Sequence, residues 1–319
     1  MSRPEILVYS PAAPLSLPDF ARHFDIHVLP RKGEGDWAAV LDRAAPRVRG
    51  LVTATMPGAD AALIDVLPKL EIIANSGSHV DRVDLVAARR RGIKVTNTPG
   101  LSKGDVADYA IGLMLAVARE VTWGDQYARR RDWLHRGAMQ LTTRVNGKKL
   151  GILGLGIIGS VVARRAEAFD MDISYFGRLP KPDVPYRHYD NLVGMAEDVD
   201  FLICTMRSCP DTYRIIDRAV LEALGPQGIL INIARRTVDE AALYDVLKSR
   251  RLFAAGMDVF EHEPMVPENL YALDNLVITP HIGSETRETR QAMVDMTIAN
   301  LRAHFAGRPL PNPVGDDPH

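Results

Sequence analysis

The stretch Lys149-Leu150-Gly151-Ile152-Leu153-Gly154-Leu155-Gly156-Ile157-Ile158-Gly159-Ser160-Val161-Val162-Ala163 decides the fold. An apolar run, Lys149–Leu153, reads as a strand. It passes through G-x-G-x-x-G into a helix that continues through Ala166 to Phe169. In that context each glycine has a task. The first allows the tight turn, the second lets the backbone approach a pyrophosphate, and the third lets helix and strand pack closely. Gly154, Leu155, Gly156, Ile157, Ile158 and Gly159 are therefore expected to cradle a dinucleotide, with its pyrophosphate at the helix N-terminus, where free N–H groups favour an anion.

Working outward, short apolar runs alternate with helical patterns, the order that produces parallel sheets covered by helices. C-terminal to the loop, strands are expected at Asp172–Phe176, Val199–Thr205, Gly228–Ala234, Ala254–Val259 and Leu276–Thr279, six with the first one. Helices begin near Ile157, Asn191, Asp217 and Asp239. N-terminal to it, strands are expected near Ile6–Tyr9, Ile26–Leu29, Leu51–Thr55, Glu71–Asn75 and Lys94–Asn97. Helices near Asp36–Ala45, Asp60–Leu67 and Asp84–Arg91 alternate with them. The breaker Asn97-Thr98-Pro99-Gly100 precedes a long apolar helix, about Val106–Glu120, and marks a hinge. A last helix, about Thr286–Ala306, stops at Gly307 with Pro309 beyond. The expected fold is α/β: two doubly wound parallel-sheet domains, flavodoxin-like and Rossmann. Residues 1–98 with 286–319 form a substrate-binding domain, and the NAD(P)-binding domain, residues 99–285, is inserted in it.

Composition limits the function classes. The 319 residues carry 39 Lys plus Arg against 40 Asp plus Glu, so no net field draws the chain to nucleic acid or anionic membrane. The basic runs Arg89–Arg91 and Arg129–Arg131 fall at helix ends, where they read as solvated C-terminal charges. Two cysteines make neither a disulfide scaffold nor a four-ligand metal site, and Cys204 lies in an apolar run as a buried hydrophobe. With no apolar stretch approaching ~18 residues, the expectation is a soluble, cytoplasmic protein without a metal.

The second strand of the nucleotide domain bears on which dinucleotide. Nineteen residues after Gly159, where an NAD-specific site carries a carboxylate for the ribose 2′-hydroxyl, stands Arg178, in Phe176-Gly177-Arg178-Leu179-Pro180-Lys181. A guanidinium there suits a 2′-phosphate, with Lys181 a second charge, so NADP(H) is favoured over NAD(H).

Three polar residues follow apolar strands on the face where such sheets bind ligands. Arg235 ends Asn232-Ile233-Ala234-Arg235, Glu263 follows Asp258-Val259-Phe260-Glu261-His262, and His281 follows Thr279-Pro280. Alone, His281 would read as a satisfied turn residue; an Arg and a Glu at the same edge change that reading. With Asn97–Gly100, Val106-Ala107-Asp108, the glycine loop, Val238-Asp239-Glu240, Asp258–Pro264 and Thr279–Ser284, the chain resembles the D-isomer-specific 2-hydroxyacid dehydrogenases. Gly177–Tyr189 and Asn300–Pro313 look most like their glyoxylate/hydroxypyruvate reductase branch.

The resemblance implies NADPH-dependent reduction of a small 2-oxo acid to the D-2-hydroxy acid. Arg235 would hold the substrate carboxylate and polarise the 2-oxo group, His281 would donate the proton, and Glu263 would raise and orient the imidazole. Thr205, Ile233, Ala234, Asp258 and Gly283 would line the cofactor, with Asp258 at the nicotinamide carboxamide. Ser78 and His79 would bind the substrate carboxylate through main-chain N–H groups. The segment with Trp133 and Met139 corresponds to a dimerisation arm, which implies a homodimer; Trp133 reads equally as a core residue or as a cap on the partner's site. Two positions depart from the family: Arg236 and His79 stand where it usually has glycine. Arg236 either shapes substrate preference or faces solvent. A 2-ketogluconate or other D-2-hydroxyacid dehydrogenase is the enzymatic alternative. A dinucleotide-sensing, corepressor-like binding protein is the non-enzymatic one.

Overall fold

The computed structural model describes residues 3–9, 13–31 and 33–315. The chain divides into two compact units, Met1–Ser102 with Thr286–His319, and Lys103–Glu285. The first break thus falls just beyond the Asn97–Gly100 turn, four residues later than the spacing suggests.

The first unit is built from β1 (Glu5–Val8), α1 (Ala13–Ala21), β2 (Asp25–Val28), α2 (Trp37–Ala44), β3 (Gly50–Thr53), α3 (Ala61–Asp65), β4 (Ile72–Asn75), α4 (Leu85–Arg90) and β5 (Lys94–Thr96). Its five strands are parallel, in the order β2-β1-β3-β4-β5. Side chains alternate across the sheet. Leu7, Leu51 and Ile73 meet Ala44, Ile64 and Ala88 on one face, while Ile6, Val52 and Ile72 meet Phe20, Ile298 and Leu301 on the other.

The second unit contains α5 (Lys103–Ala118), α6 (Val121–Arg129), α7 (Asp132–Arg136), β6 (Lys149–Leu153), α8 (Ile157–Glu167), β7 (Asp172–Phe176), β8 (Arg187–Tyr189), α9 (Leu192–Asp198), β9 (Phe201–Cys204), α10 (Arg218–Leu224), β10 (Ile229–Asn232), α11 (Glu240–Lys248), β11 (Ala254–Met257) and β12 (Leu276–Ile278). Then α12 (Arg287–Phe305) completes the first unit and supplies its Ile298 and Leu301. Seven parallel strands run β12-β11-β10-β9-β6-β7-β8, so the order reverses between β6 and β9. Ligands of open α/β sheets bind outside the carboxyl ends of the strands at such a switch point.

The seventh strand, β8, corrects the six-strand expectation. Its three residues carry no apolar periodicity; pairing Ser174 with Arg187 through Phe176 with Tyr189 makes them a strand. Helix starts follow local chemistry instead. Asp36, Asp60, Asp84, Asn191, Asp217, Asp239 and Thr286 each accept a main-chain N–H of the first turn. The basic run at Arg89–Arg91 does more than face solvent. Arg91 donates to the carbonyls of Leu67 and Pro68 at 2.7 and 3.1 Å, just beyond α3, and also to that of Ile64. Cys204 is fully buried, and among the described residues no group of His, Cys, Asp and Glu is placed to hold a metal. No described helix is long and apolar enough to cross a membrane.

Candidate active site and dinucleotide cradle

The glycine loop leaves β6 at the switch point. Gly154 has φ +86°, and a Cβ there would lie 2.8 Å from Met206 Cγ. A Cβ on Gly159 would lie 2.2 Å from the carbonyl oxygen of Gly154, so the loop closes only without one. Gly156 is different: nothing lies within 4 Å of its Cβ position. It is the N-cap of α8 and no side chain caps that helix, so the cradle is open where a pyrophosphate would approach. Just past the neighbouring β9, Thr205 Oγ1 donates to Gly154 O at 2.6 Å, with Leu153 O a second, longer acceptor at 3.1 Å. These residues fit a dinucleotide. Leu155 is buried beneath the loop and Ile157 is 70% exposed above it. Arg178 follows β7 by two residues and is exposed, as are its neighbours Leu179, Pro180 and Lys181.

The catalytic candidates gather at the carboxyl ends of β10, β11 and β12. His281 Nδ1 lies 2.8 Å from Glu263 Oε2, and the other oxygen of Glu263 accepts the Phe260 N–H at 2.9 Å. The hydrogen bond to Glu263 raises the His281 pKa; partial burial opposes it, and the charges of Glu263 and Asp258 add to the rise against that of Arg235. Burial pushes Glu263 up, but the bond to His281, the Phe260 N–H and the charges of His281 and Arg235 outweigh it, so its carboxyl titrates below the usual range. Arg235, half-buried, is therefore electrostatically coupled to both members of the dyad.

Local hydrogen bonds fix this arrangement. Asn232, 1% exposed, accepts from Ala234 N and Thr237 Oγ1 at 3.2 and 3.1 Å and donates to Val259 O, so it shapes the turn that holds Ile233, Ala234 and Arg235. Asp258, also 1% exposed, accepts from Thr279 Oγ1 at 2.7 Å and from the N–H groups of Ile282 and Gly283 at 2.9 and 3.0 Å. His281, at φ +55°, donates its own N–H to Asp258 O. Asp258 is thus the internal anchor of the loop that carries the imidazole. From sequence, Asp258 is assigned to the cofactor and Asn232 has no role of its own; the signal for both is a polar residue closing an apolar strand, and their burial comes from the fold. Arg236 is exposed at φ +58°, in the backbone region that glycine favours.

Ser78 and His79 belong to the first unit. Around them the carbonyls of Gly77, Ser78 and His79 accept from Thr98 N, Asn97 Nδ2 and Asn75 Nδ2. Trp133 is 71% exposed, which excludes the core role in this chain.

A family model for the D-isomer specific 2-hydroxyacid dehydrogenase NAD binding domain matches residues 111–283, over half of the chain. The chain is 50% identical over 271 residues to a hydroxyphenylpyruvate reductase of Plectranthus scutellarioides, covering 85% of this chain and 86% of that one. It is 46% identical over 278 residues to a glyoxylate/hydroxypyruvate reductase A of Arabidopsis thaliana, covering 87% and 88%. Among solved structures, an NADPH-dependent glyoxylate/hydroxypyruvate reductase of Sinorhizobium meliloti, in complex with NADP and malonate, superposes with a TM-score of 0.88 at 39% identity, covering 99% and 98%. The protein therefore belongs to the D-isomer-specific 2-hydroxyacid dehydrogenase family. It is an oxidoreductase that binds a nicotinamide dinucleotide and a small-molecule substrate.

Proposed function

We propose that the protein reduces a small 2-oxo acid, glyoxylate or hydroxypyruvate, to the D-2-hydroxy acid with NADPH. The observation that carries this reading is the 2.8 Å pair of His281 and Glu263, gathered at the same carboxyl edge of the sheet as the half-buried Arg235. When bound, the dinucleotide supplies the hydride. Arg235 binds the carboxylate of the 2-oxo acid and polarises its carbonyl. Protonated His281 gives its proton to the carbonyl oxygen, and Glu263 keeps that imidazole charged and turned toward it. Asp258 uses three of about four acceptor positions on its own chain, which leaves one for the nicotinamide carboxamide. Arg178 and Lys181 hold the 2′-phosphate, and Gly154–Gly159 with Thr205, Ile233, Ala234 and Gly283 line the dinucleotide.

The first unit acts as the substrate-binding domain, with Ser78 and His79 offering N–H donors to the substrate. A homodimer forms through Val121–Leu141, where α6 and α7 bury none of their residues and Trp133, Leu134 and Leu141 are 71%, 77% and 98% exposed. Sedimentation of wild type against Trp133→Ser tests that contact. Two unpaired thiols suit a reducing compartment, and we place the protein in the cytoplasm.

The deciding experiment is a kinetic panel of 2-oxo acids with NADPH and NADH in parallel. The likeness to a hydroxyphenylpyruvate reductase favours a second reading, a larger aromatic 2-oxo acid, so hydroxyphenylpyruvate and 2-ketogluconate belong in the panel. The highest kcat/KM with glyoxylate or hydroxypyruvate supports the proposal. No dinucleotide oxidation with any member overturns it in favour of a binding protein.

A further inference from the structure

We infer that Arg214 is a positioning residue that braces the loop carrying Arg235 against the turn carrying Glu263. Its main-chain N–H donates to the carbonyl of Arg236 at 2.8 Å, one residue past Arg235. Its guanidinium donates through Nε and Nη2 to Glu261 Oε2 at 3.1 and 3.0 Å, two residues before Glu263. One residue thus grips both pieces of the site from outside.

Each grip is reinforced. On the Arg235 side, Ile216 N donates to Thr237 O and Asp239 N to Ile216 O, at 2.9 and 3.0 Å, so the two segments run parallel beyond the brace. On the Glu263 side, the Tyr213 hydroxyl donates to Glu261 Oε1 at 2.7 Å, and Glu240 Oε1, at the start of α11, accepts the Glu261 N–H at 2.7 Å. The adjacent Phe260 N–H is the one that holds Glu263. Glu261 has only 8% of its side chain exposed, against 45% for Arg214. A carboxylate that deep stays in place because it is paired, and without its partner the turn must move to rehydrate it. Arg214 and Arg236 sit at φ +50° and +58°, conformations that persist where surrounding bonds over-determine them. The other charges facing the pair are His262 and Glu240 at Glu261 and Asp239 at Arg214.

The inference rests on His281 and Glu263 being the proton-donating pair. The test compares full-length wild type, Arg214→Met, Glu261→Gln, the double variant, Arg214→Lys and His281→Ala in 2-oxo acid reduction across pH, with NADPH binding followed by fluorescence. The matched control is Lys148→Met, which removes a half-buried ion pair to Asp200 at the opposite ends of the strands. Losing the brace lowers kcat roughly 10–100-fold, the scale of a small misplacement of reacting groups. It also moves the alkaline limb of the pH profile to lower pH, because Glu263 holds the imidazole less well. NADPH affinity stays within about twofold, the double variant is no worse than the poorer single one, and Arg214→Lys recovers part of kcat. Lys148→Met lowers Tm without moving kcat or the pH limb. Should Arg214→Met not fold, Glu261→Gln and Arg214→Lys carry the same comparison. Wild-type kcat and pH limb in Glu261→Gln, or additive losses in the double variant, overturn the brace. Full turnover by His281→Ala overturns the dyad itself, a different failure.

Discussion

Gly283 donates its N–H to Asp258 Oδ2 at 3.0 Å, and a Cβ added to Gly283 would lie 3.1 Å from that same oxygen. The carboxylate and the loop are therefore in contact on the side where a larger residue would intrude. Asp258→Asn replaces one acceptor with a donor that faces N–H groups, leaving at least one main-chain N–H unpaired at roughly 1–3 kcal/mol. Because the loop holds His281, the expected outcome is a lower Tm together with a fall in kcat at saturating NADPH. Gly283→Ala should show the same pattern more weakly. Thermal unfolding and steady-state kinetics check both; a change confined to the KM for NADPH would mean that Asp258 serves the cofactor alone.

How much of this was legible from residues alone differs by element. Helix starts were, because Asp217 and Asp239 cap their helices through bonds only two or three residues long. Strand β8 was not, since Arg187–Tyr189 become a strand by pairing with β7. Nor was α1, whose Pro18 lies inside the helix and reads as a breaker. Arg235, Glu263 and His281 are legible as candidates, polar residues that follow apolar strands. The pair of Arg214 and Glu261, 47 residues apart, leaves no local trace, and only the fold brings it together.

In the proposed reduction, the His281 and Glu263 pair sets a pH dependence whose direction follows from the two shifts. His281 is raised, so reduction, which needs its proton, is sustained below that raised pKa and lost as pH climbs through it. The reverse oxidation, which needs the neutral imidazole, gains over the same interval. The pair's contribution to stability is complete between the ordinary pKa of a glutamate and that of an imidazole; it is lost as pH falls from the first down through the lowered pKa of Glu263, or rises from the second up through the raised pKa of His281. Glu263→Gln should move the alkaline limb of reduction to lower pH, and His281→Ala should cost about 10²–10⁴ in kcat. An unchanged limb in Glu263→Gln would show that the carboxylate does not govern the imidazole.

At the cradle, Gly159→Ala puts a methyl 2.2 Å from a main-chain oxygen rather than from a flexible side chain, so the turn itself must open. Overpacking of this kind costs about 1–3 kcal/mol. The expected result is a lower Tm and NADPH binding weakened at least tenfold. Gly156→Ala, with nothing within 4 Å, should leave Tm nearly unchanged while weakening NADPH binding, since the proposed pyrophosphate position is at this helix N-terminus. Calorimetric titration and thermal unfolding separate the two variants. Equal stability losses in both would contradict the division between a closing glycine and an opening one.

Arg178 is the sharpest test of cofactor choice, because it is exposed and follows β7 by two residues, so its replacement disturbs no core. A charge-assisted hydrogen bond to a phosphate contributes roughly 1.5–3 kcal/mol, about a 10–100-fold difference in affinity. With Arg178 at the 2′-phosphate as proposed, Arg178→Asp both removes that bond and places a carboxylate against the phosphate. The same carboxylate can accept a bond from the 2′-hydroxyl of NADH. The ratio of kcat/KM for NADPH over NADH should therefore fall by more than 100-fold, through loss with one cofactor and gain with the other. Lys181→Ala, removing a charge three residues farther along, should lower the ratio only a few-fold. Stopped assays with both cofactors at fixed 2-oxo acid give the ratio directly, and a ratio unmoved by Arg178→Asp would assign the 2′-phosphate to other residues.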